Sequence, residues 1–160
     1  MEIRRIEANE WEVFKSLRLT SLLKDGNQFG QSYEQVKDYS DARWKEETKK
    51  AAESTDFFLV LAFEETKPIG ITGCVRTKDF GKIIAVWLDP THRGKGIGRL
   101  LVSAIMDIAK CELYKLTVVE DNQPAIKTYE NLGFTATGFT YMNPKGFKEI
   151  EMIRKKNAIR

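Results

Sequence analysis

The stretch LDPTHRGKGIGRLL, residues 88–101, places three glycines between an apolar segment and a segment of helical periodicity. The apolar segment ends at Asp89-Pro90, and from Ile97 the apolar residues recur at the spacing of one helix face. Glycine weakens the start of a helix unless the backbone must come close to another group. The stretch therefore predicts a strand, a glycine loop and a helix, with a binding partner close to the loop.

A helix that begins directly after a glycine loop provides a site for an anion. Its first backbone N–H groups have no partner inside the helix, and the helix dipole adds partial positive charge there. Close packing of a strand on a helix is the alternative reason for such glycines. The residues predicted to hold the anion, by backbone N–H groups or by charge, are Arg93, Gly94, Lys95, Gly96, Gly98 and Arg99.

Two common phosphate-binding motifs fit this loop poorly. A P-loop requires Ser or Thr after its lysine, and Gly96 follows Lys95. The dinucleotide-binding fingerprint requires a third glycine, and that position falls on Arg99 or Leu101. Glu120 stands near the distance expected for an acid that binds a ribose, so a nucleotide-binding protein remains an alternative.

A third motif, Arg/Gln-x-x-Gly-x-Gly/Ala, matches in full at Arg93, Gly96 and Gly98. A second block follows downstream, VVEDNQPAIKTYENLGF, residues 118–134, which predicts the end of a strand and then a short helix. Its distinctive residues are Asn122, Ala125, Tyr129, Gly133 and Phe134. In this order and at this separation, the two blocks resemble the GNAT superfamily of N-acetyltransferases, and the resemblance covers residues 56–155 well.

The apolar patterns along the chain agree with one α/β domain over residues 1–160. Strand patterns lie at residues 1–7, 56–65, 69–77, 82–90, 114–121, 134–142 and 149–156. The three middle strands are predicted to be antiparallel, and the unit over residues 83–119 is predicted to place its two strands parallel. The resemblance implies a mixed α/β fold, with a splayed mixed sheet of six to seven strands flanked by about four helices.

The first two helices are predicted from capping boxes and apolar spacing. Asn9 with Glu12 predicts the start of a helix that buries Trp11, Phe14 and Leu17. Ser32 with Gln35 predicts a second helix through Tyr33 and Val36, reaching toward Trp44. In the helix after the glycine loop, the predicted buried face consists of Ile97, Leu100, Leu101, Ala104, Ile105 and Ile108.

The resemblance implies that the anion is the pyrophosphate of acetyl-coenzyme A, which serves as cosubstrate. The pantetheine arm would pair with the backbone at Val86 and Leu88 like an extra strand, and a backbone N–H near Leu88 would stabilise the oxyanion. Asn122 and Tyr129 would complete the cofactor site. Tyr129 would be the catalytic acid, because a phenol of pKa about 10 keeps its proton for the leaving thiolate.

The implied reaction is transfer of the acetyl group to a primary amine by direct attack in a ternary complex. A non-catalytic acyl-CoA sensor or interaction domain on the same fold is the alternative, with Tyr129 only packed on the sheet and Asn122 only capping a helix. Some relatives carry a glutamate base where this chain has Thr117. The amine is therefore expected to lose its proton to water near Glu120 or to arrive already neutral, and Glu120 is also a candidate for the base.

The acceptor pocket is implied to lie between residues 24–34 and residues 140–147, with aromatic walls. The aromatic residues expected there are Phe29, Tyr33, Tyr141 and Phe147. The acceptor is expected to be a small-molecule amine or a peptide amine, and the protein a monomer or a homodimer. No acidic cluster indicates a polycationic acceptor.

Composition and charge exclude several classes of partner. The 160 residues are 42% apolar and 31% charged, with a net charge of +3 and both signs scattered, so nucleic acid is not an expected partner. The single histidine, His92, is expected in an exposed loop, and no metal site is predicted. Cys74 and Cys111 lie in apolar segments, and no apolar run could span a membrane. We therefore predict a cytoplasmic protein with no membrane partner.

Overall fold

The computed structural model describes residues 1–156, which form seven strands and five α-helices. The strands are β1 (Glu2–Arg5), β2 (Phe57–Glu64), β3 (Lys67–Arg76), β4 (Gly81–Leu88), β5 (Leu113–Val119), β6 (Thr135–Met142) and β7 (Lys148–Lys155). The helices are α1 (Trp11–Asp25), α2 (Tyr33–Val36), α3 (Asp41–Glu53), α4 (Ile97–Ala109) and α5 (Gln123–Asn131). Short 3₁₀ turns lie at Gly26–Gln28 and Pro90–His92.

All seven strands belong to one sheet of order β1-β2-β3-β4-β5-β7-β6. Strands β1 to β4 pair antiparallel in sequence order, which confirms the prediction for the middle strands. The pair β4–β5 is parallel, as the strand–helix–strand unit predicts, and β5, β7 and β6 are antiparallel. The mixed α/β class and the seven strands are therefore confirmed.

The sheet separates two apolar clusters. On one face, α4 and α5 pack against alternating strand residues such as Val60, Leu116 and Met152. On the other face, α1, α2 and α3 cover a cluster that includes Leu59, Ile71 and Trp87. Strand β2 is buried on both faces, which explains its continuous apolar run.

Two predictions about the first helices are wrong. Helix α1 begins after Glu10, without a side-chain cap, and the carboxylate of Glu10 instead binds Arg4 and the backbone N–H of Glu7. Trp11 is only half-buried. The capping box of Ser32 is confirmed, but the helix it starts is a single turn.

Trp44 is buried on a separate helix, α3, rather than on the helix that Ser32 begins. That helix has its own cap, because the hydroxyl of Ser40 accepts the backbone N–H of Arg43 at 3.1 Å. Leu100 is 51% exposed, so it lies outside the buried face predicted for α4. Within residues 1–156, no helix has both the length and the apolar content that a membrane crossing requires.

Candidate active site

Strands β4 and β5 separate toward their carboxyl ends. Their recorded pairs within the described residues are Gly81 with Tyr114 and Lys82 with Lys115, at the start of β4. Further along, β4 is paired on its β3 side alone, so its other edge faces a cleft between β4 and β5. An open strand edge can pair with an extended ligand. Val86 and Leu88, the predicted backbone contacts, lie along this edge.

A β-bulge in β4 lies beside this cleft. Ala85 and Val86 together face Thr72 on β3, because the register shifts between the flanking pairs. Ala85 has φ +55°, a left-handed conformation that costs a residue with a Cβ about 1–2 kcal/mol. Such strain persists where the surrounding structure enforces it, and bulges often lie next to functional sites. The bulge changes the direction of the β4 backbone where the strand leaves β5.

The glycine loop enters α4 with an open surface around it. Gly94 and Gly96 have φ +79° and +83°, so their backbone conformation requires glycine. Gly98 has no positive φ, and a Cβ there would meet nothing within 4 Å. Neither conformation nor packing inside the protein explains Gly98. Open space for an external group does explain it.

The backbone N–H groups of residues 94–99 point to the same conclusion. Among the described residues, none of them donates to a recorded backbone or side-chain acceptor, whereas Leu100 N–H already donates to Gly96 O at 3.2 Å. Consecutive unpaired N–H groups at the positive end of a helix bind anions. The side chains of Lys95 and Arg99, in the same segment, are exposed and add positive charge. The loop therefore has the geometry of a phosphate site.

Arg93 has a different role from its neighbours in the loop. Its guanidinium donates to Leu88 O at 2.9 Å and to the Asp25 carboxylate at 2.7 Å. Trp87 Nε1 donates to the same carboxylate oxygen at 2.8 Å. Burial would raise the pKa of Asp25, but the hydrogen bonds from Arg93 and Trp87 outweigh burial and lower this pKa. The charge of Arg93 thus fastens the loop to β4 and α1, and its contact with a cofactor stays a prediction.

Tyr129 lies on α5 in the cluster between α5, α4 and the sheet. Its side chain is 6% exposed, and its ring stacks edge-on against Phe134 with centroids 6.0 Å apart. Burial raises the pKa of the Tyr129 phenol, so the hydroxyl keeps its proton at neutral pH. A protonated phenol at this position is able to act as a proton donor. Its catalytic role stays a prediction.

Asn122 caps α5, because its side-chain oxygen accepts the backbone N–H of Ala125 at 3.2 Å. The amide nitrogen of Asn122 donates to Gln28 Oε1 at 3.0 Å. This bond ties the start of α5 to the segment between α1 and α2. Asn122 therefore connects the start of α5 to the α1–α2 segment, and its contact with a cofactor stays a prediction.

The two segments expected to hold the acceptor meet in the fold. Lys145, in the turn between β6 and β7, donates through Nζ to the carbonyl of Gly26 and to that of Gln31, the latter at 2.7 Å. The segment from Asp25 to Gln31 thus contacts β4, α5 and the β6–β7 turn. Tyr141 is 39% exposed near this junction. Phe29 and Tyr33 instead pack partly into the α1–α3 core.

Glu149, which is buried on β7, belongs to neither sequence motif. Its signal is weak, because Glu149 and Glu151 alternate with apolar residues as on any strand with one wet face. His92 was expected to be exposed and is buried, with Nε2 2.7 Å from the Glu64 carboxylate. This contact holds the turn at residues 90–92 against the end of β2. Cys74 is buried in the core, as expected.

Comparisons with known proteins agree with this geometry. A sequence model described as the Acetyltransferase (GNAT) family matches residues 17–134. The mycothiol acetyltransferase of Gordonia bronchialis is 36% identical over 98 residues, which cover 55% of this chain and 32% of that protein. The N-alpha-acetyltransferase RimI of Mycobacterium tuberculosis is 34% identical over 70 residues, which cover 43% of this chain and 44% of that protein. The chain thus matches less than half the length of either relative.

The fold is also found in a solved structure, that of YncA from Salmonella typhimurium with its cofactor acetyl-CoA. The two chains superpose with a TM-score of 0.78 at 18% identity, over 100% of this chain and 96% of YncA. The family match extends over most of the chain and includes the glycine loop and α5. On this basis the chain belongs to the GNAT family of acetyltransferases.

Proposed function

We propose that this protein transfers the acetyl group of acetyl-CoA to a primary amine by direct attack in a ternary complex. The observation that carries the proposal is the row of unpaired N–H groups at residues 94–99, beside the cleft between β4 and β5. A nucleotide phosphate and an extended arm could be bound together by these two features. The named relatives are acetyltransferases, which supports the same chemistry.

In this proposal the loop binds the pyrophosphate of acetyl-CoA. Gly94, Gly96 and Gly98 leave room for it, and Lys95 and Arg99 supply positive charge. The arm of acetyl-CoA runs along the open edge of β4 and pairs with backbone at Val86 and Leu88. The bulge at Ala85 turns backbone groups toward the thioester, where an N–H donor would stabilise the oxyanion.

Tyr129 supplies the proton for the leaving thiolate. A primary amine attacks only after it loses a proton, and a thiolate leaves more easily when it is protonated. Burial keeps the phenol protonated, which suits a proton donor. The reaction needs no covalent enzyme intermediate.

The protein is expected to act in the cytoplasm.

The acceptor is a primary amine that enters between the α1–α2 segment and the β6–β7 turn. The relatives differ in name, since one is a mycothiol acetyltransferase and another an N-alpha-acetyltransferase. The names are consistent with a small-molecule or a peptide acceptor, and Tyr141 is exposed at the side where the acceptor is proposed to enter. The acceptor proposed here is therefore a small-molecule amine or a peptide amine.

Binding and turnover test the proposal separately. Acetyl-CoA should raise the unfolding temperature, because a ligand that binds only the native state stabilises it by mass action. ATP and NAD should have little effect, since the loop matches neither nucleotide motif. Release of free thiol is then measured with a panel of amines. A thermal shift without turnover would favour a non-catalytic acyl-CoA-binding domain, and an equal shift with ATP or NAD would contradict the proposed ligand.

A further inference from the structure

We propose that Glu149 binds the ammonium group of the acceptor and takes the proton that the amine loses before it attacks. The inference rests on the proposed acetyltransferase function and adds the missing proton acceptor to it. It also narrows the acceptor to amines that arrive in the charged form. Glu149 lies on β7, outside both sequence motifs.

The first observation is the burial of Glu149 without a cation. The residue is 4% exposed. Its recorded partner is the amide of Asn143, which donates through Nδ2 to Oε2 at 2.9 Å. Among residues 1–156 the recorded ion pairs involve other acids, and none includes Glu149. A buried carboxylate is costly without a positive partner, and an acceptor ammonium group would supply one.

The second observation is the position of Glu149 in the sheet. It pairs with Val119 on β5 and with Tyr141 on β6, and paired residues of antiparallel strands lie on one face. This face is opposite to that of Leu116, which packs in the cluster with Tyr129. The carboxylate is therefore one strand away from the cleft, on the face that the proposed acceptor pocket occupies.

Tyr141 and Thr117 connect this carboxylate to the cleft. Burial raises the pKa of the Tyr141 phenol, a hydrogen bond with Thr117 lowers it, and the nearby Glu149 carboxylate raises it. The sheet register places the three residues together, because Tyr141 pairs with Glu149 and Thr117 pairs with Glu151, two residues further along the same face. Thr117 is on β5, the strand that borders the cleft.

Other acids around the cleft already have partners. Glu120 pairs with Lys148 at 3.1 Å, and both side chains are half-exposed. The Asp25 carboxylate accepts bonds from Arg93 and Trp87. These acids are therefore weaker candidates for the ammonium site than Glu149.

Two more charged groups face this region. Glu151, two residues further along the same face of β7, accepts the hydroxyl of Thr137 at 2.9 Å. The ammonium group of Lys145 is occupied by two backbone carbonyls of the α1–α2 segment. Neither group neutralises Glu149.

The proton balance of the reaction uses both faces of the sheet. The ammonium group gives one proton to Glu149, and the neutral nitrogen attacks the thioester carbon, forming the C–N bond as the C–S bond breaks. Tyr129 gives its proton to the leaving thiolate, and the second proton lost by the nitrogen restores the phenol. Glu149 then releases its proton to solvent. The products are the amide, the free thiol and one proton in solution.

Glu149→Gln is the decisive variant, because the glutamine oxygen still accepts the bond from Asn143 and only the charge is lost. Glu151→Gln is the matched control on the same strand and face. The probes are an unblocked tripeptide, with an α-amino pKa of about 8, and Nα-acetyl-lysine amide, with a pKa of about 10.4. The measurement is kcat/KM against pH for each amine.

For the wild-type protein and Glu151→Gln, we expect kcat/KM to rise with pH over the same range for both amines. The reason is that the charged amine binds and loses its proton on the enzyme. For Glu149→Gln, kcat/KM at neutral pH should fall on the order of 10- to 100-fold, the loss of a charge-assisted hydrogen bond. Its rising limb should follow the pKa of each amine, because only neutral amine reacts. Stabilisation by acetyl-CoA should be unchanged. Wild-type values and an unshifted profile in Glu149→Gln would overturn the inference and leave Glu149 as a support for the β6–β7 turn.

Amine binding separates this inference from the proposed function. Calorimetric titration of each amine into the CoA-loaded protein measures amine binding and requires no turnover. Weaker binding to Glu149→Gln than to wild type supports the ammonium site, and absent turnover would then count against the acetyltransferase activity and the proton transfer. If the wild-type protein binds neither amine, or if Glu149→Gln binds both as tightly, the ammonium site is refuted.

Discussion

Gly98→Ala should raise the stability of the free protein and lower its affinity for acetyl-CoA. A Cβ at Gly98 would meet nothing within 4 Å, and the residue is helical without a positive φ. Replacing such a glycine in a helix by alanine stabilises by about 0.5–1 kcal/mol. For a domain of this size, that gain raises the unfolding temperature by about 1–4 °C. The same methyl group occupies the space that the pyrophosphate needs.

The effect on the ligand follows from mass action. At 100 times the wild-type Kd, acetyl-CoA stabilises the native state by about 2.7 kcal/mol. If the methyl group weakens binding tenfold, stabilisation at the same concentration falls to about 1.4 kcal/mol. The two effects have opposite signs, so general damage to the fold cannot produce the expected result.

Thermal unfolding with and without acetyl-CoA measures both effects, and Gly30→Ala is the matched control. Gly30 also has open space and no positive φ, but it lies outside the glycine loop. That control should keep the full shift with acetyl-CoA. If Gly98→Ala is stabilised and still shows the full shift, the phosphate site is not at this loop and the assignment is wrong.

Three further predictions concern the glycine loop, the proposed acid Tyr129, and Asp25, which binds Arg93 of the loop. Gly96→Val should remove most of the shift in unfolding temperature caused by acetyl-CoA. Valine at φ +83° also destabilises the free protein, so Gly98→Ala is the cleaner test. Tyr129→Phe should lower kcat by about 10²–10⁴ with little change in acetyl-CoA affinity, as measured by thiol release, and near-normal turnover would make Tyr129 a packing residue. The folded-state pKa of Asp25 is lowered, so its contribution to stability is present above the unfolded value of about 3.9 and is lost as pH falls through the lower folded value. Asp25→Asn should therefore lower the free energy of unfolding at pH 7 and make it less dependent on pH in the acid range. Urea unfolding at pH 7 and pH 3 measures both effects. Equal values for the variant and the wild type at both pH values would mean that the bonds with Arg93 and Trp87 contribute nothing.

Much of the fold could be predicted because its signals are local. The change from a period of two to a helical period at Ile97 marks β4 and α4, and a crossover of this kind makes two strands parallel. Ser32 with Gln35 predicted a helix start that the structure confirms. Where α2 ends was not predictable, since the break between α2 and α3 depends on Ser40 capping a new helix.

The remaining features depend on contacts between distant residues. Nothing in the sequence marks Ala85 for a left-handed backbone, because the bulge arises from the register between β3 and β4. Glu149 is buried because β6 pairs beside it and the β6–β7 turn folds over it, and a strand pattern alone does not contain that information. The burial of His92 could not be predicted for the same reason, since its partner Glu64 is 28 residues away in the sequence.

Three energetically unfavourable features converge on one region of the sheet. Ala85 holds a left-handed conformation, Gly98 weakens the start of α4 without a packing reason, and Glu149 is a buried carboxylate without a cation. A folded protein retains such local costs where a ligand compensates for them. An extended arm at β4, an anion at α4 and an ammonium group at β7 would each offset one of the three. In the proposed ternary complex these groups would be the pantetheine arm, the pyrophosphate and the acceptor, so the three sites should gain stability together when acetyl-CoA and an amine bind.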